Sequence, residues 1–403
     1  MKYGIISALV RGLCIDVTGK PHIAVFNDWE LIVPKTAMKA ELKSTDTEQA
    51  AANIIRSAYS DWKKNDIKED GFVSVPSCVA VSIDGRHAGV CWIGEDLDSA
   101  RKCLDEKKTS HFAEIHARDN ILIDAQKRSD VVKNKIALVT GGAQGIGEEI
   151  TRNLAHAGAL VFIADLNING AKKLAALINE NEKRTAAVAV EVNVSSEESV
   201  EAMFNTVALT AGGLDICVSN AGVLKAGSVL EQELQDFKFV TDINYTGFFI
   251  ICKYAGRLLR AQHYSAPDWK TDIIQVNSKS GLEGSNKNGA YAGGKFGGLG
   301  LTASFAMELI EYGVKVNAVC PGNFLDGPLW SDPDKGLFVQ YLKQGKVPGA
   351  KSIADVRSFY ESKVPMKRGC TGKDLMCAIY YIVEQEYETG QAVPVTGGQI
   401  MLH

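Results

Sequence analysis

A tyrosine and a lysine stand four residues apart in the stretch AYAGGKF, at Tyr291 and Lys295. Residues at i and i+4 share one face of a helix. The run that follows, FGGLGLTASFAMELIEYG, predicts a helix over 290–311. A free phenol titrates near pH ~10, too high for ready proton exchange at neutral pH. A neighbouring ammonium favours the phenolate and brings that value down, as does a cationic nicotinamide ring. Such a pair describes a general acid/base for an oxygen whose carbon gives up or takes a hydride. The plain alternative is an amphipathic tyrosine and lysine on a helix surface, and Y-x-x-x-K spacing alone does not exclude it.

Hydride chemistry needs a carrier, and a second motif is built to hold one. TGGAQGIG runs from Thr140 to Gly147, after a strand-like KIALV and before a helical pattern. That context gives a glycine loop its meaning. Gly141 permits a tight turn, Gly145 a close backbone approach to a pyrophosphate, and Gly147 close helix–strand packing. Gln144 and Ile146 lie within the same loop. Phosphates would sit at the helix start, where free N–H groups favour negative charge. Asp165 ends the next strand, about twenty residues on, where a carboxylate accepts hydrogen bonds from an adenosine ribose. A 2′-phosphate would be repelled there, and no Arg or Lys flanks Asp165. This favours NAD over NADP. A helix-capping Asp before LNINGAKK is the alternative.

These groups need elements that bring them to one edge. From Ile136 the chain alternates apolar, strand-like runs (KIALVTGG, LVFIADL, AAVAVEVNV, DICVSNAG, DIIQVNSKSG, KVNAVCPG, AVPVTGG) with helical ones. Continuous apolar strands separated by helices predict a parallel sheet covered on both faces. Right-handed crossovers make it a Rossmann-type doubly wound α/β fold. A polar stretch over 126–134 reads as a linker between residues 135–403 and a small separate α/β domain over residues 1–125. In that first domain HIAVFNDWELIV, SCVAVSIDG and HAGVCWIG read as strands, and TDTEQAAANIIRSAYSDWKKN and LDSARKCLDEKK as helices. No chemical motif occurs in it, so an assembly or regulatory role is expected. The opening MKYGIISALVRG, broken by Arg11, reads as a first strand or helix and not as a secretion signal.

Composition narrows the classes. The chain has 403 residues, 46% hydrophobic and 23% charged, with formal net charge −4. That suits two globular domains and argues against nucleic acid or a membrane as partner. The nine cysteines form no C-x-x-C pair, and His87, His111 and His116 match no ligand spacing. No metal is expected, and a reducing, cytoplasmic location is.

Further elements fall in order. Asn220, Ala221 and Gly222 follow the fourth strand-like run of this region. Asn244 lies on the next helix, Ser278 thirteen residues before Tyr291, and Pro321 and Gly322 after the sixth run. With the glycine loop and the Tyr–Lys pair, residues 135 to the end resemble the short-chain dehydrogenase/reductase family. The resemblance implies that Tyr291 is the general acid/base. Lys295 lowers its pKa and holds the nicotinamide ribose, Ser278 holds the substrate oxygen, and Asn244 holds a relay water. Asn220 to Gly222, Pro321 and Gly322 would line the cofactor site. So would Asn193 and Val194, although Asn193 stands where the family often has an Asp. Asp326 stands where the family often has a Thr beside the nicotinamide, and it is given no such role. A homotetramer is also implied.

A narrower likeness within the family is carried by VNSKSGLEGSNKNGAYAGGKFGGLGLT, ELIEYGVKVNAVCPGNFLDGPLW, YESKVPMKRGC and TGQAVPVTGGQIM. It implies interconversion of a polyol phosphate and its ketose phosphate, sorbitol 6-phosphate and fructose 6-phosphate, with NAD. Phosphate recognition needs cations near the reacting end. Lys225, Lys279 and Lys287 fall on strand-end loops, with solvated loop lysines as the equal alternative, and Asn323 joins them as a substrate contact. Residues 323–368 read as a lid, with Lys367 or Arg368 reaching a phosphate from its far end. Two other readings stand beside this one. One is a short-chain dehydrogenase for another sugar, polyol or keto substrate. The other is a nucleotide-sensing scaffold protein.

Overall fold

The computed structural model describes residues 2–27, 37–65, 75–106, 125–334, 336–343, 345 and 347–401. The second half of the expected strand HIAVFNDWELIV, together with His111 and His116, lies outside the described residues. The chain opens with helix α1 (Tyr3–Thr18), then β1 (Ile23–Asn27), β2 (Met38–Leu42), α2 (Glu48–Asn65), β3 (Cys78–Ile83), β4 (Arg86–Gly94) and α3 (Leu97–Glu106). The four strands form one sheet in the order β1-β4-β3-β2. The opening segment is therefore a helix, and its C-terminus is closed by Gly19 in the left-handed region. Strand β2, MKAEL, alternates buried and exposed residues. The sequence reading passed it over.

A 3-10 helix over Ala125–Val132 leads into the second unit. There follow β5 (Ile136–Thr140), α4 (Gly145–His156), β6 (Leu160–Asp165), α5 (Ile168–Glu182), β7 (Ala187–Glu191), α6 (Glu197–Ala211) and β8 (Ile216–Ser219). The chain continues with α7 (Leu234–Thr241), α8 (Gly247–Ser265), β9 (Thr271–Val276), α9 (Gly289–Leu309) and β10 (Val314–Pro321). It ends with α10 (Pro328–Ser331), α11 (Leu337–Lys343), α12 (Ile353–Ser362), α13 (Gly372–Glu384) and β11 (Ala392–Val395). The seven strands order as β11-β10-β9-β8-β5-β6-β7, each neighbouring pair parallel. Every residue of β5, β9 and β10 is buried, as a sheet covered on both faces requires. One apolar core lies on the side of α6 and α8, and another on the side of α4, α5 and α13. This is the doubly wound α/β architecture expected, with the smaller mixed sheet before it.

The two sheets are joined by a buried charge. Arg11, on α1, is wholly buried. Its Nη2 donates to Asp215 Oδ2 at 2.7 Å, its Nη1 to Gln262 Oε1 at 2.7 Å and its Nε to the His22 carbonyl at 2.6 Å. Asp215 directly precedes β8 and also accepts the Ile136 N–H at 2.7 Å and the Trp269 indole N–H at 2.9 Å. A Cβ on Gly12 would stand 2.6 Å from the Gln262 carbonyl oxygen, so α1 lies hard against α8. The contact falls at the N-terminal ends of β5 and β8, opposite the end that carries the glycine loop. Burial would raise the Asp215 carboxyl, but the Arg11 guanidinium, the Lys135 ammonium and the Ile136 N–H together outweigh it and hold the group below the usual carboxylate range. Removing one partner of a buried pair leaves the other uncompensated. Arg11→Ala is therefore expected to cost about 3–5 kcal/mol in urea unfolding of the whole chain. A loss below about 1 kcal/mol, the size of a surface pair, would contradict this placement.

Candidate active site

The glycine loop takes the form its sequence demands. Gly141 and Gly145 have φ of 61° and 57°, the left-handed region open to glycine. A Cβ on Gly147 would stand 2.0 Å from the Gly141 carbonyl oxygen, so the first turn of α4 packs directly on the loop. Thr140 is wholly buried, and its Oγ1 accepts the N–H groups of Asn220 at 3.0 Å and Ala221 at 3.1 Å. Asn220 Nδ2 donates in return to the carbonyls of Thr140 and Gly141, both at 3.0 Å. The exits of β5 and β8 are thus tied together. Gln144 stands at the N-cap of α4 without a capping side-chain bond, and Ile146 packs on the core below.

Asp165 lies at the end of β6 and accepts the Ala143 N–H at 3.0 Å and the Asn167 N–H at 2.9 Å. The helix-capping alternative goes to another residue, since Asn167 accepts from Gly170 N at the start of α5. Asn193 turns its Oδ1 back onto Ser195, accepting from its N–H at 3.1 Å and its hydroxyl at 2.8 Å. Val194 is buried behind it. The loop's spacing and open backbone, with a carboxylate at the next strand end, fit a dinucleotide.

At the neighbouring strand ends the chemical groups converge. Tyr291 sits in the first turn of α9, near enough to Ser278, just beyond β9, for the serine side chain to favour its ionised form. Lys295 is buried with its Nζ 5.6 Å from the centroid of the Tyr291 ring. That Nζ donates to the Val276 carbonyl at 2.8 Å. Asn244 lies in a π-helical turn, Asp242–Thr246, between α7 and α8. Its Oδ1 accepts the Val223 N–H and its Nδ2 donates to the Val223 carbonyl, both at 2.8 Å. Its amide therefore clamps the segment after Gly222. Gly322 continues the sheet past Pro321, donating its N–H to the Val395 carbonyl at 2.9 Å.

The electrostatics refine the sequence expectation. The phenol of Tyr291 is pushed above its ordinary value by burial, and Ser278 pulls it back in part. The Ser278 side chain thus favours the phenolate, beside the ammonium of Lys295 that the family resemblance implied. The ammonium is itself costly to bury, and burial draws Lys295 down to about 8.

Two buried amides of this site carried no motif. Asn277 Nδ2 donates to Gln275 Oε1 at 2.7 Å and to the Lys295 carbonyl at 2.9 Å. Its Oδ1 accepts the Ser278 N–H at 2.8 Å. An Asn beside a suspected catalytic Ser was the only available signal.

The expected substrate residues divide. Lys279 is half-buried directly after Ser278, and Lys287 is exposed, its carbonyl accepting the Gly227 N–H at 2.9 Å. Lys225 is exposed but paired with Asp236 at 2.5 Å. The carbonyl of Asn323 accepts the Cys370 N–H at 2.9 Å, drawing together the two ends of the segment expected as a lid. That segment holds α10, α11 and α12 around its own core of Leu325, Trp330, Leu337, Phe338 and Val356. Lys367 and Arg368 are not the free phosphate ligands expected. Lys367 Nζ donates to the Ser362 carbonyl at 2.9 Å, and Arg368 forks onto Asp374 at 2.5 and 2.8 Å. Asp326 pairs with Arg357 at 2.8 Å, so its carboxylate braces this segment.

Among the described residues no cluster of three or more His, Cys, Asp or Glu could hold a metal, and no helix is long and apolar enough to cross a membrane. A cavity of about 610 Å³ lies away from the tyrosine, where α1 and α2 meet α6 and α8, and its lining mixes Arg257 and Arg260 with Glu48 and Glu201.

Two measurements test this geometry. Gly147→Ala drives a methyl into backbone, so NADH titrated by fluorescence is expected to bind at least about tenfold more weakly, a loss near 1.4 kcal/mol. Unchanged binding would contradict the loop's role. Lys295 gives a pH test. Its folded value, about 8, lies below the ordinary lysine value of 10.5, so the unfolded chain binds more protons between the two. Stability therefore carries a cost below pH 8 that is relieved as pH rises through this window, by about 3 kcal/mol at most. Lys295→Met is expected to flatten that rise in unfolding experiments, and an identical pH dependence in both proteins would contradict the burial of a titrating amine.

The family model for short chain dehydrogenases matches residues 135–332. Sorbitol-6-phosphate 2-dehydrogenase from Escherichia coli (strain K12) is 35% identical over 271 residues, 66% of this chain and 99% of that protein. The crystal structure of sorbitol-6-phosphate 2-dehydrogenase from Erwinia amylovora superposes with a TM-score of 0.61 at 36% identity, covering 66% of this chain and all of that one. A crystal structure of actinorhodin polyketide ketoreductase with NADPH superposes at 0.58 with 26% identity, covering 66% and 97%. On the fold, the assembled Ser–Tyr–Lys group and these matches, the chain belongs to the short-chain dehydrogenase/reductase family and is an oxidoreductase acting on CH–OH groups.

Proposed function

We propose that this chain interconverts a polyol phosphate and its ketose phosphate with NAD, with sorbitol 6-phosphate and fructose 6-phosphate as the pair. The observation that carries the reading is the buried Lys295, held on Val276 with its ammonium 5.6 Å from the Tyr291 ring and Ser278 beside it, at the same sheet edge as the glycine loop. When bound, the nicotinamide accepts a hydride from the carbinol carbon or returns it. The first turn of α4 holds the pyrophosphate, and Asp165 the adenosine ribose. Asn193, Val194, Asn220, Ala221, Gly222, Pro321 and Gly322 line the remainder.

In the oxidative direction Tyr291 takes the hydroxyl proton as the C–O bond becomes a carbonyl. Ser278 holds the substrate oxygen in place while charge develops on it. Lys295, anchored on Val276, keeps positive charge near the phenolate and bonds the nicotinamide ribose. Asn244 steadies the segment behind the nicotinamide and holds the relay water. Lys279 and Lys287 flank Ser278 and Tyr291 and suit a phosphate, with Asn323 at the lid hinge. Lys225 contributes less, since Asp236 already neutralises it.

The uncompensated carboxylate of Asp165 favours NAD, whereas the ketoreductase structure was solved with NADPH. Exposed Phe249, Phe296, Met307 and Ile310 on and just after α8 and α9 support a homo-oligomer, a tetramer in this reading. The nine free thiols suit a reducing cytoplasm.

The test is NADH formation on a panel of phosphorylated and free polyols, with NADP as the alternative acceptor. Sorbitol 6-phosphate with NAD is expected to give the highest kcat/KM. Tyr291→Phe is expected to lower kcat by about 10²–10⁴ while NADH still binds. A preference for free sorbitol or NADP would overturn the substrate or cofactor assignment. Full activity in Tyr291→Phe would overturn the mechanism.

A further inference from the structure

Three consecutive residues at the end of β9 each hold a different part of the proposed proton-transfer group. The Val276 carbonyl accepts from Lys295 Nζ at 2.8 Å. The Ser278 side chain lies beside the Tyr291 phenol and favours its ionised form. Between them the Asn277 side chain, 3% exposed, bonds the Ser278 N–H, the Lys295 carbonyl and Gln275 Oε1. We infer that Asn277 is a positioning residue of the reaction, an amide that spans strand and helix and sets Ser278 against Tyr291. The inference rests on the reading of Tyr291 and Ser278 given above.

The surroundings are shaped around this amide. A Cβ on Gly281 would stand 2.1 Å from Asn277 Oδ1, so the turn after Ser278 passes directly over it. A Cβ on Gly298 would stand 2.4 Å from Gln275 Nε2, so helix α9 approaches the second amide as closely. The Asn277 backbone N–H donates to the Val319 carbonyl at 2.8 Å, which fixes the residue to β10 as well. The strand end therefore cannot shift without moving the amide. An apolar side chain could fill the volume, but it would release both the Ser278 N–H and its link to α9.

Asn277 touches none of the reacting atoms, so its effect must pass through Ser278. Ser278 is the neighbour that favours the phenolate of Tyr291. Loosening Ser278 should therefore raise the phenol's proton affinity and slow the chemical step, with little change in cofactor binding. A misplacement near 1 Å is enough to cost on the order of a hundredfold in rate.

The test measures kcat, KM, the pH dependence of kcat and NADH binding in the full chain and in Asn277→Ala, with Tyr291→Phe in parallel. Asn277→Ala is expected to lower kcat by about ten- to a hundredfold. It should shift the acidic limb of the oxidation profile to higher pH while NADH binding stays within about threefold. Asn277→Ser, which keeps a small polar group in the same space, should move both in the same direction and serves if the alanine variant does not fold. A profile superimposable on the parent's, with only thermal stability lowered, would reduce Asn277 to a packing residue and overturn the inference. Retained activity in Tyr291→Phe would instead sink the underlying mechanism, so the two failures are distinct.

Discussion

A buried ammonium must be held, and the carbonyl that holds Lys295 belongs to the last residue of β9, Val276. The rest of the site depends on this bond. It seats α9 on the strand end, and α9 carries Tyr291 one turn before Lys295. The next two residues after Val276 then reach the phenol through Ser278 and the helix backbone through Asn277. Burial raises the proton affinity of the phenol and lowers that of the amine, so both groups are brought closer to neutral pH or pushed from it by how they are packed. Proton transfer in this site is thus tuned by the joint between one strand and one helix.

The parallel sheet divides labour between its two ends. Its C-terminal edge carries the glycine loop, the Asn220 turn and the Ser–Tyr–Lys group, because backbone groups leaving parallel strands are open there. Its N-terminal edge carries buried ion pairs instead. Lys315 meets Asp272 at 2.9 Å at the starts of β10 and β9, and Arg11 meets Asp215 before β8. The second of these pairs brings the smaller sheet against the larger. The first unit is thus tied by this pair at the sheet end opposite the glycine loop, and it also pairs along the outer helices, Lys2 with Glu201 on α6 and Glu48 with Arg260 on α8.

Much of the site was legible because backbone geometry demands particular residues. Gly141 and Gly145 need left-handed conformations and Gly147 has no room for a Cβ, so the loop announced itself. The Tyr291–Lys295 spacing worked because a helix places such residues on one face. What stayed hidden were contacts between residues far apart in the chain. Arg11 looked like a break in an apolar run, because its partner Asp215 lies 204 residues away. Arg368 and Asp326 were weighed by charge and position alone, and their carboxylate and guanidinium partners were not visible. Asn277 was overlooked because an amide beside a serine has no spacing rule. The effect of burial on the phenol, which raises its proton affinity, was likewise not visible in the spacing of Tyr291 and Lys295.

The central claim is that packing, and not the amine alone, sets the proton affinity of Tyr291. With 12 tyrosines in the chain, the phenol must be isolated by difference. The direct measurement is a tyrosine-labelled carbon NMR titration of the protein against its Tyr291→Phe variant, repeated with saturating NAD. The account gives a Tyr291 signal that titrates above the ordinary phenol value, near ~10, in the protein alone and moves down when the cationic dinucleotide is bound. A phenol that titrates at its ordinary value in both states would contradict it.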